Sequence, residues 1–174
     1  MEINSVSFFK SQPCPVPEFP PLVAGWKIKN PQNVGSMMRL VDNVGGTRLV
    51  LLDDENSKRE REVRKLAGMS YAHIDLQYQD SATFYRSLSG DYKLVAVETA
   101  DISTNIYRTE LPSRVVFLLG GEVHGLSEEW LARCDQVVHI PMSGRCKSMN
   151  VSQALAVSLF EWQRQQLFSG KGEL

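Results

Sequence analysis

The feature of this sequence that most limits its fold is a series of short Val-, Leu- and Ile-rich runs alternating with segments of helical spacing. Nearly continuous apolar runs are typical of strands buried on both faces, and their alternation with helices favours a mainly parallel sheet covered by helices on both faces. The predicted strands are LVAGWKI, TRLVLLD, a weak run from His73 to Leu76, YKLVAVE, SRVVFLLG and QVVHIP. We therefore predict an α/β fold.

Helical spacing appears between these runs. The predicted helices are Asn33 to Asn43, SKREREVRKLAG, Ser81 to Leu88, SEEWLARC opened by Ser127, and VSQALAVSLFEWQRQQLF; in the first of them Val34, Met37, Met38 and Val41 form the expected buried stripe. In open parallel sheets, ligands bind beyond the carboxyl ends of the strands. The loops after Glu98, Leu119 and Ile140 are therefore the first places to expect a site.

The chain has 174 residues and 43% hydrophobic content, enough for one domain with a core and too little for two ordinary ones. Five of its eight prolines fall between Pro13 and Pro21, so this stretch is expected to be extended. We predict a proline-rich N-terminal arm over residues 1–21, lying on the domain or on a partner, and a single domain over residues 22–174.

The composition of the chain limits the kinds of function that it can have. Nineteen Lys and Arg residues nearly balance twenty Asp and Glu residues, so any site for a polyanion must be a local patch. Three dispersed cysteines and three dispersed histidines favour neither a disulfide framework nor a metal site. The opening MEINSVSFFKSQ lacks the pattern of a secretory signal, and no stretch is apolar enough for a bilayer span, so we expect a cytoplasmic protein.

The first loop of interest is NPQNVGSMMRLVDNVGG. Asn33 is placed to be the N-cap of its helix, and Arg39 could be an ordinary surface arginine. The alternative is an anion site, because a helix N-terminus has free amide groups, Lys27 and Lys29 lie just upstream, and arginine is suited to binding phosphate. Both interpretations are open from these residues alone.

The second loop is FLLGGEVHGLSEEW, in which a buried strand runs into Gly120-Gly121 and Glu122. The glycine spacing is not that of a dinucleotide fingerprint, and no loop of the chain has the Gly-Lys-Ser/Thr ending of a phosphate loop. Two glycines after a strand can allow a ligand to approach the backbone, or can simply form a tight turn.

The third loop is PMSGRCKSMNVSQ, which precedes the last predicted helix. Gly144 allows a turn, and Arg145 and Lys147 place positive charge beside Ser148 and Asn150. Either Ser148 or Asn150 could do no more than cap the helix.

Together and in this order, the three loops resemble the signature motifs of the SpoU/TrmH family of the SPOUT superfamily, which are S-adenosylmethionine-dependent RNA 2'-O-ribose methyltransferases. The resemblance extends from about Val23 to Gln165. The matching residues are Asn33, Gly35 and Arg39; Leu119, Gly120, Glu122, Gly125, Leu126 and Ser127; and Ile140 to Gly144 with Ser148 to Ser152. Gly121 stands where the family usually has Asn or Ser, Met149 replaces Leu, and His124 is unusual in a variable position.

The resemblance implies an α/β fold with a C-terminal trefoil knot, an exception to the rule against threaded chains. It also implies a homodimer in which Arg39 of one chain serves the cofactor of the other. The cofactor would be S-adenosylmethionine, bound by Thr99, Leu119, Gly120, Gly121, Glu122, Ile140, Met142, Gly144, Ser148 and Met149. No metal is required.

The resemblance also assigns catalytic roles. Arg39 would be the base, or the group that orients the hydroxyl and binds phosphate, since guanidinium stays protonated in nearly all protein sites. Ser148 would assist it. Asn33, Glu122 and Asn150 would hold the loops and Arg39 in place.

An RNA-binding surface is predicted from local charge. Its candidate residues are Lys58, Arg59, Arg61, Arg64, Arg145 and Lys147. The alternative for the first four is an exposed helix of mixed charge.

The predicted activity is methyl transfer to a ribose 2'-hydroxyl of a structured RNA, with tRNA preferred over rRNA. One alternative is a knotted RNA-binding module without catalysis. Another is a dinucleotide-dependent oxidoreductase, which the missing fingerprint disfavours.

Overall fold

The computed structural model describes residues 5–53, 59–88 and 90–168. Within these ranges there are seven strands and six α-helices. The strands are β1 (Leu22–Trp26), β2 (Arg48–Leu52), β3 (Asp75–Gln79), β4 (Lys93–Val97), β5 (Thr104–Asn105), β6 (Val115–Gly120) and β7 (Gln136–His139). The helices are α1 (Ser5–Ser11), α2 (Pro31–Asn43), α3 (Glu60–Ala67), α4 (Ser81–Ser87), α5 (Glu128–Arg133) and α6 (Val151–Phe168), and short 3-10 turns cover Gly68–Ala72 and Ile106–Arg108.

The strands form one sheet in the order β3-β2-β1-β6-β4-β7-β5. Every pairing is parallel, as the apolar runs predict. Strand β6 lies between β1 and β4, so the two halves of the chain meet in the middle of the sheet. The carboxyl ends of β1, β4, β6 and β7 therefore lie side by side at one edge.

Helices cover both faces of the sheet, which confirms the predicted architecture. One core layer lies under α2, α3 and α6 and includes Met37, Phe117 and Trp162. The other lies under α4 and α5, where the rings of Phe84 and Trp130 meet edge to face with centroids 6.3 Å apart. The predicted stripe of α2 is buried at all four of its positions.

Helix α2 begins earlier than predicted. Asn30, not Asn33, is its N-cap and accepts a hydrogen bond from the backbone N–H of Gln32. Pro31 occupies the first helical position, where its fixed φ and its missing N–H suit a helix start. The prediction of Asn33 as the cap is therefore wrong. Asn33 lies within the first turn of the helix, and it is buried.

The N-terminal arm contains one element that was not predicted, the short helix α1. Residues 13–21 contain neither helix nor strand, as their prolines require. This stretch packs on the domain, because the guanidinium of Arg114 lies 4.0 Å from the centroid of the Phe19 ring. Among the helices of the described ranges, none is both long and apolar enough to cross a bilayer.

Candidate functional site

A cleft of about 240 Å³ opens beyond the carboxyl ends of β4, β6 and β7. This is the position that a parallel sheet predicts for a ligand. Its lining comes from the three loops that follow these strands and from the first turn of α6. The loops that the sequence singled out after these strands therefore meet at one place.

Asn33 connects these loops to α2 through its side-chain amide. Its Nδ2 donates to Oε1 of Glu122 at 2.7 Å, and its Oδ1 accepts from Nδ2 of Asn150 at 3.0 Å. The residue is 5% exposed, so both hydrogen bonds are sheltered from water. One buried amide therefore joins α2, the loop after β6 and the start of α6.

Glu122 is held as an acceptor on both carboxylate oxygens. Besides Asn33, the backbone N–H groups of Lys29 and Asn30 donate to it, each at 3.1 Å. Partial burial would raise the pKa of Glu122, but the hydrogen bonds from its own backbone, from Lys29 and from Asn33 outweigh that effect and lower it. The ionised carboxylate therefore acts as a cross-link between loops.

Asn150 has two roles at once. Its Oδ1 accepts from the backbone N–H of Ser152 at 2.9 Å, which satisfies a free donor at the start of α6. Its Nδ2 donates to Asn33, as described above. Asn150 therefore caps α6 and also connects it to α2.

Glu98 is a site residue that sequence reasoning missed. Its Oε1 accepts from the backbone N–H of Thr99 at 2.9 Å and its Oε2 accepts from that of Leu126 at 2.8 Å, so it joins the loop after β4 to the loop after β6. Gly120 allows this close packing, because a Cβ there would lie 2.1 Å from the backbone carbon of Gly125. The sequence feature that could have indicated Glu98 is an acidic residue at the end of a predicted buried strand.

All the predicted cofactor-binding residues except Gly144 line the cleft. Gly144 lies instead in an exposed bend, with open space where a Cβ would be, and does not line the cleft. His139, which was not predicted, lines the cleft, and its Nδ1 is 2.9 Å from the hydroxyl of Ser103.

Arg39 is exposed on α2 and does not line the cleft of its own chain. It lies six positions after Asn33, which on an α-helix places the two side chains on different faces. The amide of Asn33 bonds to Glu122 and Asn150, so these three residues fix one another and the loops.

The predicted RNA-binding residues are divided between two places. Arg59, Arg61 and Arg64 are exposed on and beside α3, whose buried side packs against α2, whereas Lys58 lies outside the described residues. The guanidinium of Arg64 lies 5.4 Å from the centroid of the Tyr71 ring. Lys147 lines the cleft and Arg145 is exposed nearby.

In the parts of the chain that the structure describes, no group of three or more His, Cys, Asp or Glu side chains is arranged to hold a metal ion. The carboxylates of Glu98 and Glu122 instead accept hydrogen bonds from backbone N–H groups of neighbouring loops. The side-chain oxygen of Asn150 accepts one from the backbone at the start of α6. The residues that line the cleft offer amide, hydroxyl, carboxylate and cationic groups that can bind and position a ligand.

Residues 21–160 match the family model of the SpoU rRNA Methylase family. A curated relative, the 23S rRNA (guanosine-2'-O-)-methyltransferase RlmB of Haemophilus ducreyi, is 32% identical over 142 residues, which are 80% of this chain and 58% of the relative. The protein of the same name from Haemophilus influenzae is 30% identical over 144 residues, 82% of this chain and 58% of the relative. The chain thus spans less than two thirds of the length of these relatives.

Solved structures have the same fold. The TrmH/SpoU tRNA modifying enzyme of A. aeolicus superposes with a TM-score of 0.78 at 24% identity, over 89% of this chain and 79% of that one. The AdoMet-bound rRNA methyltransferase of Sinorhizobium meliloti superposes with a TM-score of 0.75 at 26% identity, over 89% and 61%. The family match includes all the loops of the cleft, and the chain belongs to the SpoU rRNA Methylase family.

Proposed function

We propose that this chain transfers a methyl group from S-adenosylmethionine to a ribose 2'-hydroxyl of a structured RNA. The observation that supports this most directly is a hydrogen-bonded set beside the cleft, which joins one residue from each SpoU-like motif: Asn33, Glu122 and Asn150. Family membership supports the same reaction, because the curated relatives are named as RNA 2'-O-methyltransferases.

The cleft suits a ligand with apolar and polar parts. Leu119, Ile140 and Met149 supply apolar surface for an adenine ring, and Thr99 and Ser148 supply hydroxyl groups. S-adenosylmethionine, when bound, supplies an electrophilic sulfonium methyl. The structural neighbour from Sinorhizobium meliloti is described as AdoMet-bound, which agrees with this assignment.

The residues of the chain then have to align the ribose hydroxyl with the cofactor and to exclude other orientations, since positioning supplies much of the rate in such a reaction. Ser148 lines the cleft, and its hydroxyl would help to orient that group. Arg39 would bind an RNA phosphate and orient the hydroxyl, because a protonated guanidinium can donate hydrogen bonds but cannot accept a proton.

The exposed position of Arg39, away from its own cleft, supports a second proposal. A homodimer would allow Arg39 of one chain to complete the cleft of its partner.

The predicted C-terminal trefoil knot is a related proposal. It is supported by α6, which packs against both β4 and β6 and places Val151 and Ala154 in the cleft.

The substrate assignment changes. The curated relatives are named as 23S rRNA methyltransferases, so the preference for tRNA over rRNA drawn from the sequence is not supported. One solved relative at 25% identity is described in terms of 2-OH methylation of C/U34 on tRNA. We propose a structured RNA, with rRNA as the first class to test.

Two measurements test the activity. S-adenosylhomocysteine should raise the melting temperature and nicotinamide dinucleotides should not, because only a ligand of the folded state stabilises it. Labelled S-adenosylmethionine should then pass its methyl to RNA, and a comparison of 2'-O-methyl sites in rRNA and tRNA from cells with and without the protein identifies the nucleotide. Stabilisation by S-adenosylhomocysteine without transfer to any cellular RNA would indicate the non-catalytic knotted module instead.

A further inference from the structure

Trp26 ends β1 beside the cleft and differs from the other two tryptophans of the chain. Trp130 and Trp162 are 4% and 0% exposed and belong to the cores, whereas Trp26 is only partly buried and packs against the edge of the core that lies under α4 and α5. It lies at the carboxyl edge of the sheet, where ligands bind. A large aromatic side chain left partly open at this edge requires an explanation.

Two neighbouring residues fix the Trp26 ring. Its Nε1 donates to Oδ2 of Asp53 at 3.1 Å, and Nζ of Lys27 lies 4.4 Å from the ring centroid, a cation–π contact. Asp53 is itself fixed by the backbone N–H of Ser81, which donates to its Oδ1 at 3.0 Å. The ring is therefore held in one orientation.

The same two residues have unusual backbones. Lys27 and Asp53, with φ of 54° and 50°, are the non-glycine residues with positive φ in the described part of the chain. Such conformations are unfavourable for side chains of this kind and persist where the surrounding structure imposes them, often at binding sites. Here the two residues with positive φ both contact the Trp26 side chain.

A small cavity of about 210 Å³ lies between Trp26 and the loop after β6. We call it the Trp26 slot; it is lined by Trp26, Lys27, Lys29 and the five residues from Gly121 to Gly125. Gly121 allows the loop to lie against the end of β1, since a Cβ there would be 2.5 Å from the backbone oxygen of Lys27. The slot shares Gly121, Glu122 and Gly125 with the cofactor cleft, so a ligand in one lies next to a ligand in the other.

The chemistry of the slot suits one kind of occupant. An aromatic ring and the exposed Val123 side chain offer apolar surface, while the exposed side chains of Lys27 and Lys29 place positive charge at its rim. Stacking on an aromatic ring beside cations that contact phosphate is the usual mode of binding for unpaired nucleotides.

We infer that the Trp26 slot binds an unpaired nucleobase of the substrate RNA, which stacks against Trp26 in place of the Lys27 ammonium, so that Lys27 and Lys29 contact the adjacent phosphates. The inference rests on the proposed function in that it takes RNA as the substrate. It adds a positioning residue, Trp26, that holds the RNA next to the cofactor without touching the reacting atoms.

Tryptophan fluorescence tests this directly, because Trp26 is the one partly open tryptophan of three. The full chain is titrated with a single-stranded RNA of twelve nucleotides and with an abasic oligonucleotide of the same length and charge. The RNA should quench the emission and the abasic oligonucleotide should not. Trp26→Phe should abolish this quenching and keep RNA affinity within about threefold, and Trp26→Ala should lower RNA affinity roughly 5- to 150-fold, the reduction expected for one stacked base.

S-adenosylhomocysteine binding, measured on the same proteins by calorimetry, separates this inference from the proposed function. Wild-type affinity for S-adenosylhomocysteine in Trp26→Ala, together with weaker RNA binding, supports the slot. Equal quenching by the RNA and the abasic oligonucleotide, or RNA affinity unchanged in Trp26→Ala, overturns it and leaves the methyltransferase proposal intact. Should Trp26→Ala fail to fold, the comparison of the two oligonucleotides on the wild-type chain still decides. If wild type does not bind S-adenosylhomocysteine, the proposed function fails, while base-dependent quenching still supports a nucleobase site.

Discussion

The side-chain nitrogen of Asn150 donates to the side-chain oxygen of Asn33 at 3.0 Å, although 117 residues separate them. Because Asn33 also donates to Glu122, helix α2 and two loops of the cleft form one hydrogen-bonded unit. A change at any of these residues should therefore affect both the stability of the fold and the shape of the cofactor cleft.

Asn33→Ala tests this coupling. It removes a buried bridge and leaves Glu122 and Asn150 each without one partner, so we expect the free energy of unfolding to fall by about 1–3 kcal/mol. The affinity for S-adenosylhomocysteine should fall as well. Urea denaturation and calorimetry measure the two effects, and Gln32→Ala, an exposed position on the same helix, is the matched control. Equal stability of the two variants would contradict the proposed coupling.

Glu122→Gln should reveal the lowered pKa of Glu122. A carboxylate whose folded-state pKa lies below its ordinary value of 4.5 contributes stability above that pH and loses it as the pH falls through the folded-state pKa. The wild type should therefore be more stable than Glu122→Gln at pH 7, and the difference should shrink below about pH 4.5. Urea denaturation at several pH values measures it; a difference that stays constant down to about pH 3 would refute this account.

Arg39→Ala should separate binding from turnover. Arg39 is exposed, so we expect the free energy of unfolding to change by no more than about 0.5 kcal/mol. S-adenosylhomocysteine affinity should be retained, and transfer of labelled methyl to RNA should fall at least roughly 100-fold, the typical effect of removing a positioned polar group from a transition state. Arg39→Lys, which keeps the charge but not the planar donor group, is the comparison. Undiminished transfer in Arg39→Ala would exclude both proposed roles.

Helix α3 should contribute to RNA affinity through charge alone. When Arg59, Arg61 and Arg64 are all changed to Gln, the slope of log affinity against log salt concentration should become shallower by about 0.7–0.9 for each phosphate group that the variant no longer binds. A control with the same change of charge replaces Lys93, Arg114 and Arg133, which lie in ion pairs elsewhere on the surface. If both triple variants give the wild-type slope, α3 is an ordinary exposed helix.

The two cysteines on either side of β7 should differ in reactivity. Hydrogen bonds with Ser148 lower the pKa of the exposed Cys146 thiol, whereas burial raises the pKa of Cys134 to about 12. Iodoacetamide at a pH of about 7.5 should therefore modify Cys146 and spare Cys134, as mass spectrometry of peptides would show. Because Cys146 contacts Ser148 at the cleft, S-adenosylhomocysteine should slow its modification. Faster labelling of Cys134 would contradict the assignment.

The sheet was predictable because strands buried on both faces must be apolar along their whole length, and each of the six predicted runs overlaps a strand. The two-residue strand β5 was missed because Thr104 and Asn105 show no such run. The start of α2 was placed too late, although the Asn30-Pro31 pair is itself a helix-start signal.

The site was only partly predictable. Resemblance to a family indicated which residues gather, but not that Asn33 and Asn150 contact each other, since a hydrogen bond across 117 residues depends on the whole topology. Glu98 was noted only as the end of a strand. The sequence does not single out Trp26, since a tryptophan at the end of an apolar run is usually a core residue. The cavity beside its ring depends on a loop that follows much later in the chain.

The link between α2 and the start of α6 has a consequence for the order of events during protein synthesis. Strand β1 and helix α2 leave the ribosome early, whereas Asn150 follows 117 residues after Asn33, and the cleft-lining Ala154 later still. A nascent chain therefore has no complete cleft until α6 has emerged and docked. A ligand can therefore use the whole cleft only after α6 has docked, and its binding energy then favours the docked state of this helix over the steps before it.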